Sequence, residues 1–204
     1  MTRVIAGAAR GRRLQVPGHG TRPTSDRVRE SLFSSVDSLL LAQGTRWPDV
    51  TVLDLYAGSG AVGLEALSRG ARAAVLVERA RAALPVLRAN VAVVGLPGAH
   101  VVAADVDRLA AHAALAGPAT LVFVDPPYDV PSGVLRTRLD ELLAAGWIAP
   151  DAVVIVERGG RDEESPLPPS WIEDRRRTFG DTVLWYGRSV SAEAVEQADS
   201  EQGS

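Results

Sequence analysis

The sequence predicts an α/β fold: a doubly wound, mostly parallel sheet of about seven strands with an N-terminal β-hairpin extension. Three observations carry this reading. From residue 51 onward, short aliphatic runs alternate with segments of helical periodicity. Strands separated in this way are joined by right-handed crossovers, so they lie parallel and both faces of the sheet are covered. The last two runs, DRRRTF and TVLWYG, are separated only by a tight turn and pair as an antiparallel edge. With 204 residues, 46% of them apolar, the chain can build the core of one such domain and would be cramped as two.

Taken in order, TRVIA (2–6) and RRLQV (12–16) form a hairpin through the small-residue turn GAARG. The loop PGHGTRPTS follows, and Thr24 or Ser25 caps a helix from Asp26 to about Gln43 with Val28, Leu32, Val36, Leu39 and Leu40 on one face. The core then runs as strand TVLDLY, a glycine loop, helix GLEALSRG, strand AAVLVE, helix RAALPVLRANVAVVG, strand HVVAAD, short helix DRLAAHAAL and strand TLVFVD. A helix from about Gly133 to Ala145 and a strand AVVIVE precede the charged, proline-rich loop GRDEESPLPPS. The division expected is a hairpin extension (1–24), the main domain (25–188) and an acidic tail from Ser189 (189–204) that is too polar to fold.

Composition removes several function classes. There are no cysteines, which excludes disulfides, zinc-thiolate sites and cysteine nucleophiles. His19, His100 and His112 are scattered, so no metal site is expected. No apolar run reaches the roughly 20 residues that span a bilayer, and the start lacks a secretion signal, so a soluble, cytoplasmic protein is expected. No exposed apolar stripe suggests self-association, which favours a monomer. The net charge of -3 conceals an asymmetry, since all 22 basic residues are arginine. Seven of them (Arg3, Arg10, Arg12, Arg13, Arg22, Arg27 and Arg29) fall in the first thirty residues, against only Asp26 and Glu30. That is either a solvated charged face or a phosphate-gripping one.

Two motifs carry chemistry, and both sit at strand ends. Asp54 to Gly63 reads DLYAGSGAVG and contains GxGxxG, which in a Rossmann-like setting lets the backbone approach a ligand closely. Asp54 is the discriminating residue. An acid just before the loop is out of place beside a pyrophosphate but suits a cationic ligand such as S-adenosylmethionine, which would lie against Ala57, Gly58, Ser59 and Gly60. Glu78 closes the next strand, placed to accept from ribose hydroxyls. Asp105 closes the third, where it either accepts from the adenine amine, with Val106 against the ring, or caps the helix that follows.

The second motif is Asp125-Pro126-Pro127-Tyr128, after the strand TLVFV. An exocyclic amine has its lone pair delocalised into the ring, so methyl transfer to it needs acceptors aimed at its N–H groups. The Asp125 carboxylate and the Pro126 carbonyl are such acceptors, and two prolines fix the backbone without adding competing donors. Tyr128 offers a flat face for an unstacked base. An ordinary turn is the bland alternative, weakened by Asp54, Glu78 and Asp105 on the preceding strands.

With RVIAGAARGRRL, RPTSDRVRESLF, DLYAGSGAVGLEALSRGA, VFVDPPY and LLAAGWIAPDAVVIVE in that order, the chain resembles the RsmD family of bacterial 16S ribosomal RNA guanine-N2 methyltransferases from about Arg3 to Arg188. The resemblance implies the class I methyltransferase fold, S-adenosylmethionine as cofactor with S-adenosylhomocysteine as product, and a guanine amine of 16S rRNA as acceptor, within the small subunit or an assembly intermediate. It also implies that the segment from Arg22 to Arg27 lines the cofactor pocket with Thr24 as a contact, a role that competes with helix capping. Arg3, Arg10, Arg12, Arg13 and Arg22 would then hold RNA. The acidic tail matches nothing in the family. The readings left open are a DNA adenine or cytosine amino-methyltransferase, a protein glutamine methyltransferase, a nicotinamide-dependent oxidoreductase resting on GxGxxG alone, and a non-catalytic RNA-binding module.

Overall fold

A computed structural model of the chain describes residues 2–18, 26–160 and 162–191. Thr24, Arg22, His19 and the stretch 192–204 lie outside the described residues. The short hairpin strands are β1 (Thr2–Arg3) and β2 (Arg13–Leu14), followed by helix α1 (Asp26–Ala42). The main body is β3 (Thr51–Leu55), α2 (Ala61–Ser68), β4 (Ala73–Glu78), α3 (Ala83–Val94), β5 (Ala99–Ala103), β6 (Ala119–Val124), α4 (Ser132–Ala144), β7 (Ile148–Gly159), β8 (Ile172–Phe179) and β9 (Thr182–Arg188). The seven strands of the large sheet are ordered β5-β4-β3-β6-β7-β9-β8, with β9 antiparallel to both of its neighbours and the rest parallel. This is the expected doubly wound sheet with its antiparallel edge. Sheet growth reverses direction between β3 and β6, which opens a crevice beyond their carboxyl ends.

Every residue of β3 and β4 is buried, as strands covered on both faces require. One face packs against α1, α2, α3 and the hairpin, with Phe33, Val36, Leu64, Leu87, Phe123 and Tyr186 in a single apolar layer. The other packs against α4 and a 3-10 turn at Val106–Ala111, through Leu109, Leu135, Leu139, Trp147, Trp171 and Trp185. The outer strand β8 carries Arg175 and Arg176 over the rings of Tyr186 and Trp185, so its exposed edge is charged and unsuited to pairing with another chain. Among the described residues, no helix is long and apolar enough to cross a membrane, and no group of side chains has metal-holding geometry.

The hairpin strands are shorter than the hydrophobic alternation predicts because other groups capture their amides. Ile5 and Ala6 N–H donate to the Glu65 carboxylate at 2.6 and 3.0 Å, and Ala8 and Ala9 N–H donate to the Ser68 carbonyl and hydroxyl at 2.7 and 2.9 Å. Gly7 makes that contact possible. It has φ of +80°, and a Cβ there would stand 1.7 Å from the Ser68 carbonyl oxygen. Val4, Ala9 and Leu14 are buried in the main core, so the hairpin is welded to α2 rather than extended from it. At the other end of the chain, Ser189 is buried, with its hydroxyl between Ala152 N–H and the Ala149 carbonyl, so the ordered body runs past Arg188.

Arg12 has a structural task as well as a charge. Its Nη1 donates to the Val93 carbonyl at 2.8 Å and to the Val94 carbonyl, closing the carboxyl end of α3. Arg12→Ala is expected to lower stability by about 1 kcal/mol in urea denaturation. An unchanged midpoint would return Arg12 to the solvated face.

Candidate cofactor and acceptor site

A crevice of about 620 Å³ lies beyond the ends of β3, β4 and β6, within the range of small-ligand pockets. The glycine loop forms its floor, DPPY one wall, and Arg29 of α1 with Thr2, Val16 and Pro17 of the hairpin region another. Ala57, Gly58, Ser59, Glu78, Asp54, Asp125, Pro126 and Tyr128 all border it. The loop is held from outside: Gly58 N–H donates to Glu78 Oε2 at 2.8 Å, and Asn90 Nδ2 donates to the Ser59 carbonyl at 2.8 Å. Asn90 also pairs with the Gln15 backbone at both ends of its amide, tying the loop to the hairpin. Gly60 turns the chain into α2 at φ of +76°.

Asp54 is 4% exposed, and its Oδ2 accepts from Gly63 N–H at 2.9 Å. Burial pushes its carboxyl up to about 7; the Gly63 hydrogen bond opposes this and the Glu78 charge adds to it. Gly63, the last glycine of GxGxxG, serves packing rather than ligand approach, since a Cβ there would lie 2.3 Å from a Leu76 methyl and 3.1 Å from Asp54 Oδ2. Glu78 accepts from Ala80 N–H at 2.6 Å as well as from Gly58. Each oxygen retains a second lone pair, so the carboxylate still has acceptor capacity toward the crevice.

Asp125 follows directly from the register Leu55↔Val124↔Val156, which puts it at the mouth of the crevice beside Asp54 and Glu157. Its side chain is open to water from the crevice yet walled in by protein on its other sides. That enclosure, then the negative charges of Glu157 and Asp54, push its carboxyl well above the usual carboxylate range. Tyr128 is 64% exposed and lies over Gly159, its ring laid out at the rim.

Other predicted site residues fall elsewhere. Asp105 does not border the crevice. Its Oδ2 is paired with Arg79 Nη1 at 2.8 Å, and its Oδ1 accepts from Asp107 N–H at 3.3 Å, the capping alternative. Val106 is buried in the far apolar layer. Arg3, Arg10 and Arg13 are exposed, and Arg3 is 3.8 Å from Asp26. The structure adds residues that the sequence reading passed over. Tyr56 borders the crevice in a left-handed backbone conformation, φ of 62°, with its hydroxyl accepting from Arg138 Nη1 at 2.8 Å. Arg29 sits with Leu32, Phe33, Val36 and Leu40 on the buried face of α1, so an arginine on an apolar stripe was the signal available.

The raised Asp54 pKa has a stability consequence. The folded state holds a proton between about pH 4 and 7 that the unfolded chain releases, so stability falls as pH rises through that window. Asp54→Asn keeps an acceptor for Gly63 and removes the titration. Urea denaturation at pH 5 and pH 8 should show a pH-flattened variant, more stable than the native protein at pH 8 by a few (~2–4) kcal/mol. Parallel curves for the two proteins would rule out a buried, raised Asp54.

The comparisons with known proteins agree with this geometry. The family model described as conserved hypothetical protein 95 matches residues 2–188. The ribosomal RNA small subunit methyltransferase D of Escherichia coli K12 is 37% identical over 94% of this chain and 92% of its own length. The protein of the same name from Haemophilus influenzae is 30% identical, covering 87% and 89%. The solved structure of Escherichia coli YhhF superposes with a TM-score of 0.77 at 36% identity, over 93% of this chain and 98% of that one. With its strand order, its glycine loop and DPPY at one crevice, the chain belongs to the ribosomal RNA small subunit methyltransferase D family.

Proposed function

We propose that the protein transfers a methyl group from S-adenosylmethionine to the exocyclic N2 amine of a guanine in 16S ribosomal RNA, within the small subunit or one of its assembly intermediates. The observation that carries this is that the cofactor loop and the DPPY acceptors open on one crevice. S-adenosylmethionine supplies an electrophilic methyl on a positively charged sulfur. The donor set fits it: Asp54 and Glu78 put negative charge and acceptors where an ammonium, a sulfonium and ribose hydroxyls need them, and a dinucleotide pyrophosphate would be repelled there. The family named for ribosomal RNA methylation supports the RNA reading over the DNA and protein alternatives.

The work left to the chain is positioning and electrostatics. Asp125 and the Pro126 carbonyl accept from the amine N–H groups and localise its lone pair, while Tyr128 at the rim receives the face of an extruded base. Only the ionised Asp125 is a full acceptor, so its raised pKa sets the acid limit of activity. Arg10 and Arg13 are exposed on the hairpin, which also borders the crevice through Thr2, Val16 and Pro17, so a phosphate track can lead to the site. Arg22 belongs to the same proposal, as does Thr24 beside the cofactor.

The direct test is incubation with methyl-labelled S-adenosylmethionine and small ribosomal subunits or assembly intermediates, followed by nucleoside analysis. Label is expected in N2-methylguanosine at one position; label in DNA or in protein glutamine would overturn the reading. Asp125→Ala should reduce transfer by about 10²-fold or more with cofactor affinity little changed. In the native enzyme kcat/KM should rise with pH along a limb displaced above the ordinary carboxylate range. Equal loss of cofactor binding in the variant would remove Asp125 from the acceptor role. Replacing Arg10 and Arg13 together by Ala should weaken RNA binding and reduce its salt slope by about 2, one per phosphate contact. An unchanged slope would leave these arginines as solvated surface.

A further inference from the structure

Arg29 enters the crevice wall from the first turn of α1 with its side chain only 1% exposed. Its Nη2 is engaged, donating to the Arg3 carbonyl at 2.7 Å and to Asp26 Oδ1 at 2.8 Å. Its Nε and Nη1 are buried and have no hydrogen-bond partner among the described residues. Buried guanidinium donors left unmet bear their full desolvation penalty, so such a group marks a place where an acceptor is missing. The other cation bordering the crevice among the described residues, Arg79, is mostly exposed and already paired with Asp105. The remaining charged groups there, among the described residues, are acidic: Asp54, Glu78, Asp125 and, at the rim, Asp129.

This crevice is therefore built for a ligand with positive charge on one side and a single negative group facing α1. S-adenosylmethionine meets that description, because beside its ammonium and sulfonium it carries one carboxylate, which the acids of the crevice would repel. We propose that Arg29 anchors the α-carboxylate of the methionine moiety, donating to it from a nitrogen that has no partner among the described residues. The inference rests on the cofactor reading above. Asp26 also accepts from the Thr2 hydroxyl at 2.7 Å. Arg29 thereby links the carboxylate to the base of the hairpin, and cofactor binding would steady the wall that faces the RNA.

The test compares S-adenosylmethionine with its decarboxylated form, which keeps the ammonium and sulfonium and lacks only the carboxylate. In calorimetric titrations the native protein should bind the decarboxylated compound about tenfold or more weakly, the loss expected for hydrogen bonds to a charged group. Arg29→Gln retains a donor for the Arg3 carbonyl and removes the charge. In it the preference should vanish or reverse, because the remaining acids favour the more cationic ligand. Arg29→Lys should retain part of it. Equal weakening of both ligands in Arg29→Gln would mean a purely structural role, and a native protein that binds the two compounds alike would overturn the inference without any variant. A native protein that binds neither overturns the cofactor reading itself, a result separable from the other two.

Discussion

The site depends on one contact, the acceptance of the Gly63 amide by Asp54 at the centre of the sheet. A carboxyl on β3 has no water to solvate it, and α2 must come close enough to provide a donor. That approach requires position 63 to lack a side chain, since Leu76 of β4 fills the space a Cβ would take. Once α2 is seated, the loop between β3 and α2 has to turn sharply. It does so with Tyr56, Gly58 and Gly60 all in left-handed conformations. The turn aims the Gly58 amide at Glu78, so the crevice acids acquire backbone partners before any ligand arrives. Such a floor is rigid in advance, and ligand binding does not have to order it.

The opposite side of α2 performs a second task. Glu65 and Ser68, one turn apart, hold the backbone of the hairpin at Ile5, Ala6, Ala8 and Ala9, while Arg69 closes the remaining side of Glu65 at 3.0 Å. One short helix thus positions both the cofactor loop at its start and the basic hairpin near its end. A carboxylate fully buried at Glu65 would be costly alone, and three donors make it a structural anchor instead. This explains why a motif as far from the chemistry as RVIAGAARG accompanies the glycine loop: its small residues are those that fit against α2.

Elements with strict periodicity were legible. AAVLVE is β4 residue for residue, and the helix expected over 26–43 runs over Asp26–Ala42. Where the pattern is ambiguous, tertiary groups decide. The hairpin strands shrink because Glu65 and Ser68 compete for their amides, which no local window contains. β7 begins four residues before AVVIVE because Pro150 and Asp151, the latter at φ of 58°, disguise its start, and its register to β6 shifts there. The placement of Asp54, Glu78 and Asp125 beside the crevice could be read because a strand end fixes both their depth and their direction. Asp105 could not, because the choice between ligand and cap turns on Arg79 and on the 3-10 turn that follows. Arg29 looks like one charge among many in RPTSDRVRES; only packing reveals that it is buried.

The acidity of the crevice also bears on turnover. Asp54 and Asp125 are both held above their ordinary pKa, which means that the crevice resists full ionisation of its acids. A ligand bearing positive charge relieves that resistance. Methyl transfer converts a sulfonium into a neutral thioether, so the same acids that favour the reactant lose part of their attraction for the product. On the proposed reading, what remains common to both is the carboxylate that Arg29 would hold and the ribose that Glu78 would hold. The balance between a charge that disappears during the reaction and contacts that do not is therefore what sets how far this crevice prefers the methyl donor over the spent cofactor.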